Sequence, residues 1–210
     1  RQVMYGVEPD GYYMIATAEH PLTAMFMGET IPEDDLPLRI VGVSPCFRRE
    51  VGSHGQSDLG IWRVHQFTKI EQIIIATPEQ SWELQEELLQ NCLDLWDALG
   101  MHYEVVNICT GDMGTVAARK YDLEAWIPGA NQYKEIVSCS NCTDYQANRL
   151  QIRYGQPGHA GQPIAHTLNS TAVATSRALV AIMEQNQLED GRVSIPDVLQ
   201  PLMGGQEVLE

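Results

Sequence analysis

One stretch, Leu36 to Glu71 (LPLRIVGVSPCFRREVGSHGQSDLGIWRVHQFTKIE), constrains the fold most, because two β-rich arms flank a polar, Gly-rich segment. The arms run Leu38 to Glu50 and Ile61 to Ile75, and the loop is Val51 to Gly60. This order predicts a long β-hairpin with a mobile tip. Successive strand residues point to opposite faces. Arg48 and Glu50 therefore share a face on the first arm. On the second, Arg63, His65, Phe67, Lys69 and Glu71 share one, while Trp62, Val64 and Ile70 point away. If the two faces coincide, one pocket receives two guanidiniums, two carboxylates and an aromatic ring. Guanidiniums suit phosphate, since the planar fork gives two parallel charge-assisted hydrogen bonds, and a ring suits a flat base. The same alternation equally describes a solvated face.

The rest of the chain bounds the partners of such a pocket. With 210 residues the chain can bury one sizeable core, and 44% hydrophobic against 20% charged residues is ordinary for a globular domain. No apolar run approaches a membrane span and no leader opens the chain, so no membrane partner is expected. Five scattered cysteines, an odd number, fit a reducing cytoplasm. A net charge of −15 offers no general basic footprint for RNA, which favours a small-molecule site with any RNA contact local.

In chain order, Tyr12 to Glu19 reads as a strand whose Thr17 and Glu19 share a face, a hydroxyl and a carboxylate able to hold an ammonium group. Thr77, Pro78 and Gln80 fit the start of a helix as N-cap, N1 and capping box. Leu88, Leu89, Cys92, Trp96 and Leu99 follow at helical spacing, with Gly100 as a stop. Strands are expected at Tyr103 to Cys109, Lys120 to Trp126 and Tyr133 to Cys139. Their short returns indicate an α+β fold, an antiparallel sheet flanked by helices. Cys139 and Cys142 form a lone C-x-x-C without a second ligand pair, so no zinc is expected. His65 reads as structural rather than catalytic. Arg177 is the only charge between Ala172 and Met183, and it needs either a structural carboxylate or a ligand anion.

FRRE, a Gly-rich loop and RVHQFTKIE together resemble motif 2 of the class II aminoacyl-tRNA synthetases, in the form carried by seryl-tRNA synthetase. TAE at Thr17 to Glu19, CTGDMG at Cys109 to Gly114, EIVSCSN from Glu135 and HTLNSTAVATSRALVAIMEQNQ from His166 extend the resemblance over nearly the whole chain. It implies the catalytic domain of that family across residues 1–210, and a serine–tRNA ligase: ATP and L-serine give seryl-adenylate, and serine passes to its tRNA. It implies ATP contacts at Arg48, Glu50, Arg63, Phe67, Arg177 and the run Glu135, Ile136, Val137 and Ser138. Mg²⁺ with the nucleotide falls to Glu135 and Ser138, and Arg48 and Arg177 are the expected catalytic pair. Serine contacts are implied at Thr17, Ala18, Glu19, Arg48, Glu71, Asn169 and Thr171.

Motif 1, on which the family builds its homodimer, and the coiled-coil arm that grips the tRNA are not found in these residues. The homodimer is therefore in doubt for this stretch, and serine tRNA binding would need the arm. Two other classes stay open. One is an adenylate-forming relative that charges a carrier protein and depends on zinc. The other is a non-catalytic paralogue, which usually loses residues of the kind that Arg48, Glu135 and Arg177 represent.

Overall fold

A computed structural model describes residues 3–50 and 60–210 of the protein. Of the predicted loop Val51 to Gly60, only Gly60 lies among them. Two short antiparallel strands, β1 (Gly6–Val7) and β2 (Tyr12–Tyr13), lead to helix α1 (Glu19–Ala24) and to β3 (Thr30–Ile31). The predicted hairpin follows as β4 (Leu38–Phe47) and β5 (Gln66–Ala76), antiparallel from Leu38↔Ile75 to Phe47↔Gln66. After helix α2 (Ser81–Ala98) come β6 (Tyr103–Asn107), β7 (Arg119–Ile127) and β8 (Gln132–Asn141). Helix α3 (Tyr145–Leu150), β9 (Arg153–Tyr154), β10 (His166–Ala174), α4 (Thr175–Gln185), β11 (Val193–Ser194) and β12 (Val208–Leu209) complete the order. The central sheet runs β4-β5-β10-β8-β7-β6, every neighbour antiparallel, as the short returns predict.

The sheet has a dry face and a functional face. Leu84, Leu88, Cys92 and Trp96 of α2 join Ile74, Leu123, Val137, Cys139 and Leu168 of the strands in one core. Each large apolar side chain buried this way contributes about 1.5–3 kcal/mol. Ala178 and Ala181 bring α4 into the same core beside Trp62. A smaller core of Ile31, Leu36, Ile75, Ala147, Ile152 and Ala165 lies on the other side.

Local chemistry shifts several predicted boundaries. The strand expected over Tyr12 to Glu19 stops at Tyr13, and α1 starts at Glu19. Pro21 does not oppose this, because first-turn N–H groups have no intrahelical acceptor anyway. Helix α2 begins at Ser81 with Gln80 at the cap, not at Thr77 and Pro78. The Gln80 side chain accepts from the Thr77 N–H at 3.3 Å and Ser81 donates to the Pro78 carbonyl at 3.1 Å, which makes a turn of residues 77–80. Gly100, at φ +69°, does end the helix. The second arm is also shorter than predicted. Gly60–Trp62 is a 3₁₀ turn and the strand starts at Gln66.

Candidate active site

Strand register brings the site together. Glu71 on β5 lies directly opposite Thr171 on β10, and Asn169 lies opposite Ser140 on β8. Register slips between Thr171 and Val173, so Ala172 is a bulge residue that re-aims the end of β10. The Thr175 hydroxyl, at the start of α4, then donates to the Thr68 carbonyl (3.1 Å) and accepts from the Thr68 N–H (3.2 Å). This clamp ties Arg177 to the same end of the hairpin as Phe67. The result is a cavity of about 900 Å³ walled by the hairpin, α1, β8, β10 and the start of α4.

Most of the residues named from sequence meet in this cavity. Arg48, Glu50, Arg63, Phe67, Glu71, Glu135, Ile136, Ser138, Asn169, Thr171, Glu19 and Arg177 all line it. Arg48 donates from Nε to the Ala16 carbonyl at 3.1 Å, and its guanidinium lies 5.5 Å from the centre of the Phe67 ring. Arg63 Nη1 lies 2.7 Å from Glu50 Oε2. Arg177 Nη1 donates to the Glu135 carbonyl at 2.7 Å, stands 3.4 Å from its carboxylate and lies over Trp62 at 5.5 Å. The charge that interrupts the apolar run is therefore held at the cavity wall by groups that leave it facing the interior. Glu19 Oε1 accepts from Gln146 Nε2 at 2.6 Å and Asn169 Nδ2 at 3.2 Å.

The remaining residues are placed differently. Thr17, buried, reaches the Lys69 ammonium at 3.3 Å but does not line the cavity, and Ala18 is buried beside it. They sit in the bend before α1, where period-2 reasoning does not apply. Val137 faces α2 in the core, since its neighbours Ile136 and Ser138 occupy the cavity side. His65 hydrogen-bonds the Tyr5 hydroxyl on the exposed side and does not line the cavity. Trp62 and Val64 do line it, against expectation, because the 3₁₀ turn rotates them out of strand alternation. Cys139 and Cys142 diverge. The Cys139 thiol reaches the Gln85 carbonyl under α2, whereas Cys142 accepts from Asn169 Nδ2 at 3.3 Å, and burial pushes its thiol up to about 12.

Sequence reasoning paired neither Lys69 with Glu71 nor Lys120 with Asp122. Lys69, 9% exposed, sits 2.6 Å from Glu71 Oε2, and Glu71 is 1% exposed. Burial pushes the Glu71 carboxyl up, and Lys69 works against that rise. Asp122, opposite Ser138 and 3.1 Å from Lys120, is likewise pushed up by burial and by Glu135. The available signal was spacing, K-x-E on β5 and K-x-D on β7, which puts both members on one face.

Three guanidiniums and an aromatic ring around a deep carboxylate have the chemistry that suits a phosphorylated base and a small ammonium-bearing molecule. Residues 5–186 match the tRNA synthetase class II core domain (G, H, P, S and T). The chain belongs to that family. This class II core is 60% identical over 210 residues to a serine–tRNA ligase of Methanocorpusculum labreanum, covering 99% of the chain and 49% of that protein. It is 57% identical over 199 residues to that of Archaeoglobus fulgidus, covering 94% and 44%. Among solved structures, seryl-tRNA synthetase from Pyrococcus horikoshii complexed with ATP superposes with a TM-score of 0.95 at 52% identity, covering 99% of this chain and 46% of that one. The cytoplasmic serine–tRNA ligase of Naegleria fowleri in complex with AMP gives 0.93 at 46%, covering 100% and 50%. The class II core thus spans about half the length of the relatives it matches.

Proposed function

We propose that this class II core activates L-serine with ATP, forming seryl-adenylate and pyrophosphate, as the activation centre of a serine–tRNA ligase. The observation that carries the reading is the meeting of Arg48, Arg63 and Arg177 with Phe67 and the buried Glu71 in one cavity. Likeness to relatives solved with ATP and AMP supports the nucleotide half of it.

The chemistry needs no general base, because the serine carboxylate is already a nucleophile. It attacks the α-phosphorus, a new C–O–P linkage forms, and the bond to the bridging oxygen of the β-phosphate breaks to release pyrophosphate. Catalysis is then positioning and neutralisation of charge at the phosphates. Arg48 serves the α-phosphate and the serine carboxylate. Arg63 and Arg177 hold the β- and γ-phosphates. Phe67 stacks on adenine, with Arg48 on the ring's charged flank, and Glu50 accepts from the base edge. Glu19, with Asn169 beside it, receives the serine ammonium, while Glu71 and Thr171 read its hydroxyl. Thr17 and Ala18 support the bend that presents Glu19, and Val137 contributes through its backbone beside Ile136.

The oxygen donors Glu135 and Ser138 fit Mg²⁺, a hard cation that keeps several waters and takes one or two protein ligands beside phosphate oxygens. When bound there, the ion neutralises charge on the phosphates. Glu135 also steadies Arg177 by its carbonyl. Zinc is not part of the reading, since Cys139 and Cys142 face different surroundings.

Transfer of serine to its tRNA is the second half-reaction. With a net charge of −15, RNA affinity rests on few phosphate contacts from these residues. Cytoplasmic work fits this reading, and among the described residues no helix is long and apolar enough to cross a membrane. The test is pyrophosphate exchange into ATP. Exchange should depend on serine, and equal exchange with alanine or glycine would remove Glu71 and Thr171 from the reading.

A further inference from the structure

Lys69 is an unusual residue to find where it is. A lysine ammonium is strongly hydrated, and taking it out of water is costly unless a partner is close. Here it is 9% exposed on the cavity wall, 2.6 Å from Glu71 Oε2 and 3.3 Å from the Thr17 hydroxyl. Because Lys69 and Glu71 are i and i+2 on β5, both point to the functional face of the sheet. Glu71 itself is directly opposite Thr171 across the ladder. Gly42 on β4 is its other neighbour in register, so no side chain from that strand stands beside it.

The charges that face Glu71 come from several elements. Lys69 is on its own strand, Glu19 is on α1, and Arg48 follows β4. The thiols of Cys46 on β4 and Cys92 on α2 complete the surroundings. Burial and Glu19 both favour a neutral carboxyl, while Lys69 and, less strongly, Arg48 favour the ionised one. The protonation state decides what the carboxyl can recognise. Ionised, it only accepts hydrogen bonds, whereas protonated it carries a donor and competes with a substrate hydroxyl.

We infer that Lys69 is a positioning residue that holds Glu71 as an acceptor-only carboxylate, with one oxygen engaged by the ammonium and the other left for the hydroxyl of the substrate amino acid. The inference rests on the activation reading for the identity of that substrate, but the Lys69–Glu71 coupling stands apart from it. Lys69 touches neither the nucleotide nor the reacting atoms in this account. It acts through Glu71, and Thr17 fixes it from the far side. Selection for a hydroxylated amino acid then depends on a lysine that does not contact it.

Lys69→Met and Lys69→Arg test this by pyrophosphate exchange across pH, with serine and alanine as substrates. Lys69→Met leaves Glu71 free to protonate, so the variant folds by neutralising the buried acid instead of stranding a charge. At neutral pH its kcat/KM for serine should fall at least about tenfold, as for loss of a hydrogen bond to a charged group. The loss should fall on KM for serine and leave KM for ATP unchanged. The acid limb of the profile should move to higher pH, and serine should lose part of its advantage over alanine. Lys69→Arg should restore the position of that limb. A Lys69→Met enzyme with wild-type serine KM and pH profile, or with KM for serine and ATP raised alike, would overturn the inference. Carbon-13 titration of the Glu71 carboxyl in both proteins separates the two readings. If the wild type shows no serine-dependent exchange, the activation reading fails. The coupling still stands if the Glu71 carboxyl titrates at higher pH in Lys69→Met, and falls if it titrates alike in both.

Discussion

Replacing Arg48 with alanine separates folding from chemistry. Among the described residues the Arg48 side chain makes one hydrogen bond, Nε to the Ala16 carbonyl at 3.1 Å, and one ring contact, 5.5 Å from the Phe67 centroid. A net hydrogen bond contributes about 0.5–1.5 kcal/mol and a partly exposed cation–π contact about 0.5–1 kcal/mol. The variant should therefore lose roughly 1–2.5 kcal/mol of stability, against the 5–15 kcal/mol typical of a domain. That corresponds to a fall of about 2–10 °C in Tm for a chain of this size, so the protein stays folded at 25 °C. Its catalytic loss should be much larger. Removing a preorganised donor from the point where charge develops costs about 2.7–4 kcal/mol, or two to three orders of magnitude in kcat. Thermal unfolding followed by circular dichroism reads the first number, and serine-dependent pyrophosphate exchange on the same preparation reads the second. A folded Arg48→Ala protein with kcat within tenfold of wild type would refute the claim that Arg48 faces the α-phosphate.

Three further outcomes follow from other parts of the molecule. Trp96, fully buried between α2 and the sheet, should cost about 3–5 kcal/mol when cut to alanine, measured by denaturant unfolding. His166 sits half-buried with Nδ1 2.9 Å from the Ser81 hydroxyl, and burial pulls its pKa below the ordinary histidine value. A depressed folded value means that its contribution is present above about pH 6.5 and is lost as pH falls from there. His166→Asn should flatten that part of the stability profile, and an unchanged slope between pH 7 and 5 would contradict it. Purified protein analysed for metals should hold no stoichiometric zinc. One zinc per chain, lost in Cys142→Ser, would favour the reading in which a carrier protein is charged.

Much of the sheet was legible in the sequence because strand alternation is strict wherever the ladder is regular. The hairpin strands, the three strands after α2 and the shared face of Phe67, Lys69 and Glu71 all follow from a period of two. The same rule failed where the backbone leaves that period. The 3₁₀ turn at Gly60–Trp62 carried Trp62 into the cavity and under Arg177, and the helix beginning at Glu19 replaced the strand expected there. The bulge at Ala172 lies in a run that reads as ordinary strand, so nothing local marks it. Partnership was harder still. K-x-E puts Lys69 and Glu71 on one face, but only three-dimensional burial turns an alternating charge pattern into a desolvated pair. The resemblance to class II motifs named twelve of the residues that line the cavity, whereas the pairing of Lys69 with Glu71 and of Lys120 with Asp122 emerged from packing.

The most direct test of serine activation is a single-turnover reaction of the chain with labelled ATP, Mg²⁺ and labelled serine, quenched and resolved for the mixed anhydride. The account predicts seryl-adenylate carrying both labels, approaching one per chain, together with an equal amount of pyrophosphate. Pyrophosphate released without serine, or adenylate formed as readily with alanine, would contradict it.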